Sequence, residues 1–344
     1  MHGPVSPFER FRVGADHGFR EPHPRLDPNG LLRGFHRVAF EVEFFRCQGG
    51  GLGPGEACFD YLAKLRWPAG FVCPACSGMT FWRTSSKLWM CQSCSRRTSV
   101  TAGTIFEGTR SPLRTWFAAV WFAMAQKNGV SALGLQRVLG LKSYETAWAW
   151  MHKLRRAMVV PNRDVLSGVV EVDETYVGGI SRGNAGRSSD KLGVMFAAEM
   201  VTARKLGRVR LEPTPTGGLA LIEFTQRVVA PASKVRTDGA RELRRLSGLG
   251  YDHTYFTQLG SSVPAHVDLP GVHMVASLLK RWLTGTLHYG ASSDHLAYYL
   301  DEFVFRFNRR TAASRGLLFY RLLEQAVNTG PQPLSDLIVG AQFD

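Results

Sequence analysis

Two aspartates in the second half of the chain stand where they can bind a divalent cation. Asp173 lies in segment 168–179, whose alternating residues predict a strand, and Asp238 ends a second predicted strand that starts at Lys234. Carboxylates from neighbouring strand ends are hard oxygen ligands that suit Mg²⁺ or Mn²⁺. Two such ions ~3.5–4 Å apart catalyse phosphoryl transfer. Each aspartate taken alone also has a simpler interpretation. Asp238 could be a residue that favours a turn, and Asp173 could be an acid on the surface of a strand.

A third candidate position follows 35 residues after Asp238. At ~100° per residue, His273 and Lys280 project from one flank of a helical apolar stripe. We expect His273 to complete the metal site and Lys280 to bind a phosphate group nearby. The alternative is a boundary histidine and a lysine whose stem lies along apolar surface. The stripe consists of Val272, Val275, Ala276, Leu279 and Leu283.

Four cysteines form two C-x2-C pairs with fourteen residues between them: Cys73, Cys76, Cys91 and Cys94. Each pair can offer two thiolates from one turn, so the spacing predicts one structural, tetrahedral zinc ion. A redox pair is the alternative, but such a motif normally needs a single C-x2-C. Cys47 and Cys58 lack this spacing, and we interpret them as small hydrophobic residues.

The positive charge is concentrated in one part of the chain. The formal net charge is +14, and residues 61–160 carry fourteen Lys and Arg against two acids, Glu107 and Glu145. A field of this kind suits a polyanion, which favours nucleic acid over a merely solubilising surface. The cations that we expect to contact double-stranded DNA are Arg83, Lys87, Arg96, Arg97, Lys142, Lys153, Arg155, Arg156, Lys280 and Arg281.

Residues 131–158 have the pattern of two helices joined by a turn. Ser131–Leu139 and Tyr144–Met158 are the predicted helices, with Ser143 as the N-cap of the second. The second helix has an apolar stripe, and its other side carries His152, Lys153, Arg155 and Arg156. This pattern is typical of a helix-turn-helix that offers its polar face to a major groove, or of an ordinary helical hairpin.

The remaining elements predict a multidomain α+β protein whose catalytic core is an α/β layer fold with C-terminal helices. The predicted strands are 168–177, 191–202, 207–211 and 234–237, with a helix at 218–229 and a helical stretch at 272–308. The predicted division is a partly disordered leader (1–55), a zinc ribbon (56–108), a helix-turn-helix segment (109–162), a core (163–315) and a C-terminal tail (316–344). Alternation places Glu171 and Thr175 on the face of Asp173.

Targeting signals are not evident in the sequence. The first thirty residues contain Glu9, Arg10 and Arg12 without an apolar run, and the longest apolar run, Trp116–Ala125, is far below the ~20 residues that span a bilayer. We therefore expect a soluble cytoplasmic protein with no membrane partner.

The order of these motifs resembles the insertion-sequence transposases of the ISXO2-like family, which join a zinc ribbon to a DDE catalytic core. The resemblance runs from about Phe59 to Arg310. It is carried by the strings Leu65–Cys76 (LRWPAGFVCPAC), Thr98–Phe106 (TSVTAGTIF), Glu171–Gly179 (EVDETYVGG), Leu279–Thr286 (LKRWLTGT) and Tyr299–Arg310 (YLDEFVFRFNRR).

This resemblance implies a ribonuclease-H-like core in which Asp173 is the first aspartate, Asp238 the second and Lys280 the basic residue after the third ligand. It implies two catalytic Mg²⁺ or Mn²⁺ ions, hydrolysis at transposon ends, attack of the 3′-hydroxyls on target DNA, an oligomer when assembled on DNA, and a nucleoid location. The chain departs from the pattern at His273, where many such enzymes carry glutamate.

Several alternatives stay open at this stage. Either His273 is a working ligand or the protein is an impaired transposase or DNA-binding regulator. Asp301 or Glu302 could also supply the third carboxylate. A different ribonuclease-H-like nuclease, such as a resolvase, fits the carboxylates but not the appended modules as well.

Overall fold

The computed structural model describes residues 54–160, 163–178, 192–214, 219–257, 265–287, 293–312 and 314–339. Its helices are α1 (Pro54–Arg66), α2 (Leu113–Ala125), α3 (Ala132–Leu139), α4 (Tyr144–Ala157), α5 (Ala220–Val228), α6 (Ala265–Asp268), α7 (Pro270–Leu287), α8 (Leu296–Asn308), α9 (Arg315–Asn328) and α10 (Leu334–Val339). Its strands are β1 (Phe81–Arg83), β2 (Trp89–Cys91), β3 (Arg97–Thr98), β4 (Val169–Val177), β5 (Leu192–Thr202), β6 (Lys205–Pro213), β7 (Lys234–Asp238) and β8 (Asp252–Phe256). Short 3₁₀ helices cover Arg241–Leu249 and Ser293–His295.

The five strands that follow the helical segment, which consists of α2, α3 and α4, form one mixed sheet in the order β6-β5-β4-β7-β8. The first three in sequence, β4, β5 and β6, are antiparallel neighbours, whereas β4, β7 and β8 run parallel. Parallel strands end at the same edge of a sheet. The register places Asp238, the last residue of β7, level with Asp173 in the middle of β4.

Different helices cover the two faces of this sheet. α7 and α8 pack on one face, and α5 and the first 3₁₀ helix pack on the other. Along β4, Val172 belongs to the core under α5, whereas Val177 belongs to the core under α7. Because side chains alternate along a strand, Glu171, Asp173 and Thr175 lie on the face that α7 covers.

A second apolar core joins α1, α2, α3 and α4 to α9. Trp116 of α2 stacks on Trp150 of α4 with ring centroids 3.8 Å apart, and Phe117 packs edge-on against Phe319. Each large side chain buried in this way contributes about 1.5–3 kcal/mol. Residues 316–344, which we expected to form a tail, include most of α9, whose buried residues are Leu318, Phe319, Leu322, Leu323, Ala326 and Val327.

The two helices and turn predicted at 131–158 are confirmed. Ser131 Oγ accepts a hydrogen bond from Gly134 N at 3.1 Å, and Ser143 Oγ accepts one from Glu145 N at 3.1 Å, so each serine caps its helix. Gly140 ends α3 with φ 61°, a left-handed conformation that suits glycine.

The other predicted elements agree with the structure to within a few residues, except that the helical stretch predicted at 272–308 is two helices, α7 and α8. The elements that were not predicted are β8, α6, α9, α10 and the two 3₁₀ helices. The leader and Cys47 lie outside the described residues. In the described ranges, no helix combines the length and the apolar character needed to cross a bilayer.

Candidate active site and zinc centre

Asp173 and Asp238 occupy matching positions on two adjacent parallel strands. The register pairs Glu171 of β4 with Arg236 of β7, and each aspartate follows that pair by two residues on its own strand. Their local hydrogen bonds hold both side chains. Asp173 Oδ1 accepts from Glu174 N at 2.8 Å, and Asp238 Oδ1 accepts from Ala240 N at 3.2 Å.

The chemistry of this carboxylate group fits a divalent cation. Burial raises the pKa of Asp173 to about 7, and the negative charges of Asp238, Glu174 and Glu171 add to that rise. Crowded carboxylates in a partly buried site repel one another, and a bound cation relieves the repulsion. Asp173 and Asp238 are thus suited to hold a hard divalent ion.

Glu171 positions α7 above these strands. Its carboxylate has no exposed surface, and its Oε2 accepts hydrogen bonds from Gly271 N at 2.7 Å and Val272 N at 3.2 Å. These are free N–H groups of the first turn of α7, so an anion from β4 caps the helix. A Cβ at Gly271 would lie 2.9 Å from Glu171 Oε2, so the close approach requires glycine.

Arg236 completes this contact from β7. Its Nη1 is 3.2 Å from Glu171 Oε1, and its Nη2 donates to Asp268 O at 2.6 Å, just before α7 begins. The guanidinium also lies over the ring of Phe256, 5.0 Å from its centroid. The Glu171–Arg236 pair therefore joins β4, β7 and α7.

His273 and Lys280 both lie on α7, beside different parts of β4. His273 is half-buried and directly follows Val272, whose N–H binds Glu171. Lys280 is exposed, and its Nζ donates to Thr175 Oγ1 at 3.2 Å. Since Asp173 stands between the two contacted residues of β4, the helix places its candidate groups on either side of that aspartate.

The three predicted catalytic ligands do not meet at one point. In the part of the chain that the structure describes, the only group of three or more His, Cys, Asp or Glu with all ligand atoms within 4.8 Å of one another is the set of four cysteines. Asp173 and Asp238 lie on one face of the sheet, and His273 lies on the helix that covers this face, but the three residues do not form such a group.

The four cysteines do converge. Cys73 Sγ is 3.6 Å from Cys94 Sγ, and Cys76 Sγ is 3.6 Å from Cys91 Sγ. Four thiolates at about 2.3 Å from a tetrahedral zinc ion stand about 3.8 Å apart, which fits these distances, whereas a disulfide needs about 2.05 Å. The backbone N–H of Cys94 helps to lower the pKa of the Cys91 thiol to about 6, which favours the thiolate that binds metal.

The two C-x2-C pairs form backbone turns of the same type. Ser77 and Ser95, one residue after each second cysteine, have φ 59° and φ 58°, and their N–H groups donate to the carbonyls of Cys73 and Cys91. A Cβ at Gly78 would lie 2.9 Å from Ser93 Oγ and 3.2 Å from Cys91 Sγ, so a larger residue here would crowd the cysteine sulfurs. The paired turns fit the structural zinc ion that the spacing predicts. Cys58 is buried in the helical core, as expected.

Comparison with known proteins agrees with this arrangement. Residues 165–308 match the model of the ISXO2-like transposase domain, and residues 53–97 match that of a transposase zinc-ribbon domain. The chain therefore carries a transposase zinc ribbon followed by an ISXO2-like transposase domain. It is also 28% identical, over 272 residues, to an uncharacterized protein in the transposable element ISH50 of Halobacterium salinarum. That similarity covers 72% of this chain and 88% of the relative.

The cations that we expected to contact DNA differ in their exposure to solvent and in their ion pairs. Arg96, Arg97, Lys142 and Arg281 are exposed, and Lys153 and Arg156 are half-buried. Two others are paired with acids of α1. Arg83 Nη1 is 2.8 Å from Asp60 Oδ1, and Lys87 Nζ is 2.9 Å from Glu56 Oε1.

Arg155 and His152 are buried, contrary to the polar face inferred for α4. α8 packs against that side of the helix, and Arg155 Nε donates to Glu302 Oε2 at 2.9 Å with both side chains inaccessible to solvent. We therefore leave Arg155 out of the proposed DNA surface. The same ion pair occupies Glu302, so this carboxylate does not supply a third metal ligand.

Sequence reasoning assigned no role to Glu171 or Arg236. The alternation of β4 placed Glu171, two residues before Asp173, on the same face of the strand. An acid at that position could have indicated a role for Glu171. Arg236 gave no such signal, since its partner stands 65 residues earlier in the chain.

Proposed function

We propose that this protein is a DNA transposase that binds transposon inverted repeats, cleaves the ends by metal-dependent phosphodiester hydrolysis and joins the 3′-hydroxyl ends to target DNA. The observation that carries this proposal is the placement of Asp173 and Asp238 at matching positions of adjacent parallel strands, under a helix that presents His273 and Lys280. The match to the transposase domain supports the same reaction.

The proposed core is ribonuclease-H-like. Three antiparallel strands followed by two parallel ones, in the order β6-β5-β4-β7-β8, with helices on both faces, support this assignment. The order brings Asp173 of β4 beside Asp238 at the end of β7, which is what a two-aspartate site needs.

We assign the metal ligands to Asp173, Asp238 and His273. When bound, two Mg²⁺ or Mn²⁺ ions supply an activated attacking oxygen and stabilise the leaving oxygen. Asp173 and Asp238 provide hard oxygen donors, and His273 provides a softer nitrogen that favours Mn²⁺ relative to Mg²⁺. Lys280, exposed beside Thr175, binds a DNA phosphate next to the scissile bond.

The zinc ribbon and the helical segment (α2, α3 and α4) are proposed to hold the DNA end as a zinc-dependent helix-turn-helix module. Exposed cations on these elements, Arg96, Arg97 and Lys142, suit phosphates. Along α4 the most exposed residues are Tyr144 and Glu145 in the first turn, so the start of this helix is the part that can reach a groove. Pairing two ends requires an oligomer on DNA, and the DNA substrate places the activity at the nucleoid.

One observation favours a second candidate, a transposase relic or zinc-dependent regulator that binds DNA without cleaving it. The ligand atoms of Asp173, Asp238 and His273 do not fall within 4.8 Å of one another in the described structure. The four cysteine sulfurs, in contrast, do lie within 4.8 Å of one another.

Cleavage of end DNA distinguishes the two candidates. Duplexes that carry the inverted repeats flanking the gene, and duplexes with the repeat shuffled, are incubated with the protein and either Mg²⁺ or Mn²⁺. The transposase proposal predicts cleaved and joined products from the repeat duplex alone, with more product in Mn²⁺. Tight binding of the repeat with no cleaved product in either metal supports the relic and overturns the enzyme.

A further inference from the structure

Residues 126–129, in the loop between α2 and α3, contact the far end of α7. Trp282 Nε1 donates to Asn128 O at 2.9 Å, and Thr286 Oγ1 donates to the same oxygen at 2.7 Å. The two donors are four residues apart and so lie on one face of the helix. A single backbone carbonyl of the helical segment thus fixes two side chains of α7.

α8 fixes the other side of the same loop. Arg306 Nη2 donates to Ala123 O at 2.8 Å, and Arg306 Nη1 donates to Gln126 O at 3.0 Å. These carbonyls at the end of α2 lack partners within their own helix. Arg306 is held by Glu302, whose second oxygen binds Arg155 of α4. The loop therefore joins α2 to α7 and α8, and Glu302 links α8 to α4.

Gly129 shows how closely the loop fits. Its φ is 81°, and a Cβ there would lie 3.1 Å from Glu302 Oε1 and 3.2 Å from Trp282 Nε1. A side chain at this position would displace either the buried carboxylate or the Trp282 hydrogen bond. The contact of residues 126–129 with α7 and α8, which we name the joint, is therefore closely packed.

α7 is thereby held at both ends. Glu171 of β4 binds the N–H groups of its first turn, and Asn128 binds its last turns through Trp282 and Thr286. His273 and Lys280 lie between these two attachments. The position of α7 along β4 thus depends on the helical segment as well as on the sheet.

We propose that Trp282 and Thr286 are positioning residues for the cleavage reaction. By binding the Asn128 carbonyl they fix α7 along its axis, and so set where His273 and Lys280 stand relative to Asp173. The helical segment that holds the DNA end and the helix that serves the active site then move as one body. This inference rests on the proposed function.

Substitutions at two threonines of α7 test the joint. Thr286→Val removes the hydroxyl donor at nearly constant size, and Thr286→Ser keeps the donor. Thr284→Val is the matched control, because Thr284 Oγ1 donates to Lys280 O within the same helix at 2.8 Å and does not reach the loop. Trp282→Phe removes the second donor to Asn128 and keeps an aromatic ring.

Three measurements are made on each full-length variant: single-turnover cleavage of saturating end DNA across a Mn²⁺ titration, the Kd for end DNA, and amide hydrogen exchange of peptides that cover residues 272–283. Thermal unfolding confirms that each variant is folded. Exchange does not require an active enzyme, so it reports on the joint even if the proposed function fails.

For Thr286→Val we expect cleavage to slow at least about fivefold, which matches loss of one hydrogen bond, with a Kd within twofold of wild type and faster exchange in residues 272–283. Thr286→Ser and Thr284→Val should resemble wild type. Unchanged exchange in both Thr286→Val and Trp282→Phe overturns the inference, as does an equal effect of Thr284→Val. Wild-type protein that fails to cleave, with the exchange difference present, overturns the proposed function and leaves the joint established.

Discussion

The carboxylate of Glu171 and the guanidinium of Arg236 meet between β4 and β7, with 3.2 Å between Oε1 and Nη1. The other oxygen of Glu171 binds Gly271 N at 2.7 Å. One buried acid therefore ties together the two strands that carry the aspartates and the helix that faces them.

Replacing Glu171 by alanine should strongly destabilise the fold. The substitution leaves Arg236 and two helix N–H groups without their anion, and loss of one partner of a buried pair costs about 3–5 kcal/mol. Urea denaturation gives the free energy of unfolding. Glu324→Ala is the control, since its pair with Arg321 is exposed and should contribute less than about 1 kcal/mol. Equal losses in the two variants would contradict the role given to Glu171.

His152 should make the protein sensitive to acid. It is fully buried against Trp148 and Tyr298, and neither ring nitrogen has a hydrogen-bond partner in the described structure. Burial lowers the pKa of His152 from 6.5 to about 2, with further lowering by Arg155 and His295. The folded state therefore binds fewer protons than the unfolded state, and stability that is complete above pH 6.5 declines as the pH falls toward 2.

The expected loss attributable to His152 is about 1.4 kcal/mol per pH unit below 6.5, or about 2 kcal/mol by pH 5. His152→Leu fills the site without a titrating group, so its unfolding free energy should fall less steeply between pH 7 and 5. Urea denaturation at each pH gives both slopes. Parallel slopes for the two proteins would refute the assignment.

Zinc should be required for the ribbon to fold. Purified protein is expected to contain about one equivalent of zinc, and Cys91→Ser should lose it because three thiolates cannot close the tetrahedral site. Elemental analysis and end-DNA binding report on the metal and its consequence. Cys58→Ser is the control, since Cys58 lies in the helical core. A zinc-free protein that folds and binds DNA normally would disprove the structural role.

The identity of the third ligand should control the choice of metal. His273→Glu replaces a nitrogen donor by a harder carboxylate, so cleavage in Mg²⁺ should rise relative to cleavage in Mn²⁺. The ratio of the two cleavage rates is the measurement. An unchanged ratio in His273→Glu, with cleavage intact, would remove His273 from the site.

Local patterns predicted much of this fold because they act over short distances. Alternation along β4 gave both the strand and the face shared by Glu171, Asp173 and Thr175, and Ser143 as an N-cap gave the start of α4. The four cysteines were predictable for the same reason, because zinc fixes both ligand type and spacing. The apolar residues of α9, from Leu318 to Val327, also recur at helical spacing, so this helix could have been predicted from the sequence.

Long-range pairing could not be predicted. Arg155 has the sequence context of an exposed cation, and only its contact with Glu302, 147 residues later, accounts for its burial. The Arg83–Asp60 pair likewise depends on how the ribbon packs against α1. Charged residues are interpreted as exposed unless a partner is known, and a sequence does not identify that partner.

Cleavage of labelled end DNA by Asp173→Asn and Asp238→Asn tests the central claim most directly. Asparagine keeps the size of each side chain and removes the charge that holds a divalent ion. The account predicts that each variant loses at least about a thousandfold in cleavage and joining, while its Kd for end DNA stays within twofold of wild type. Cleavage by either variant at the wild-type rate would contradict the catalytic role of the aspartates.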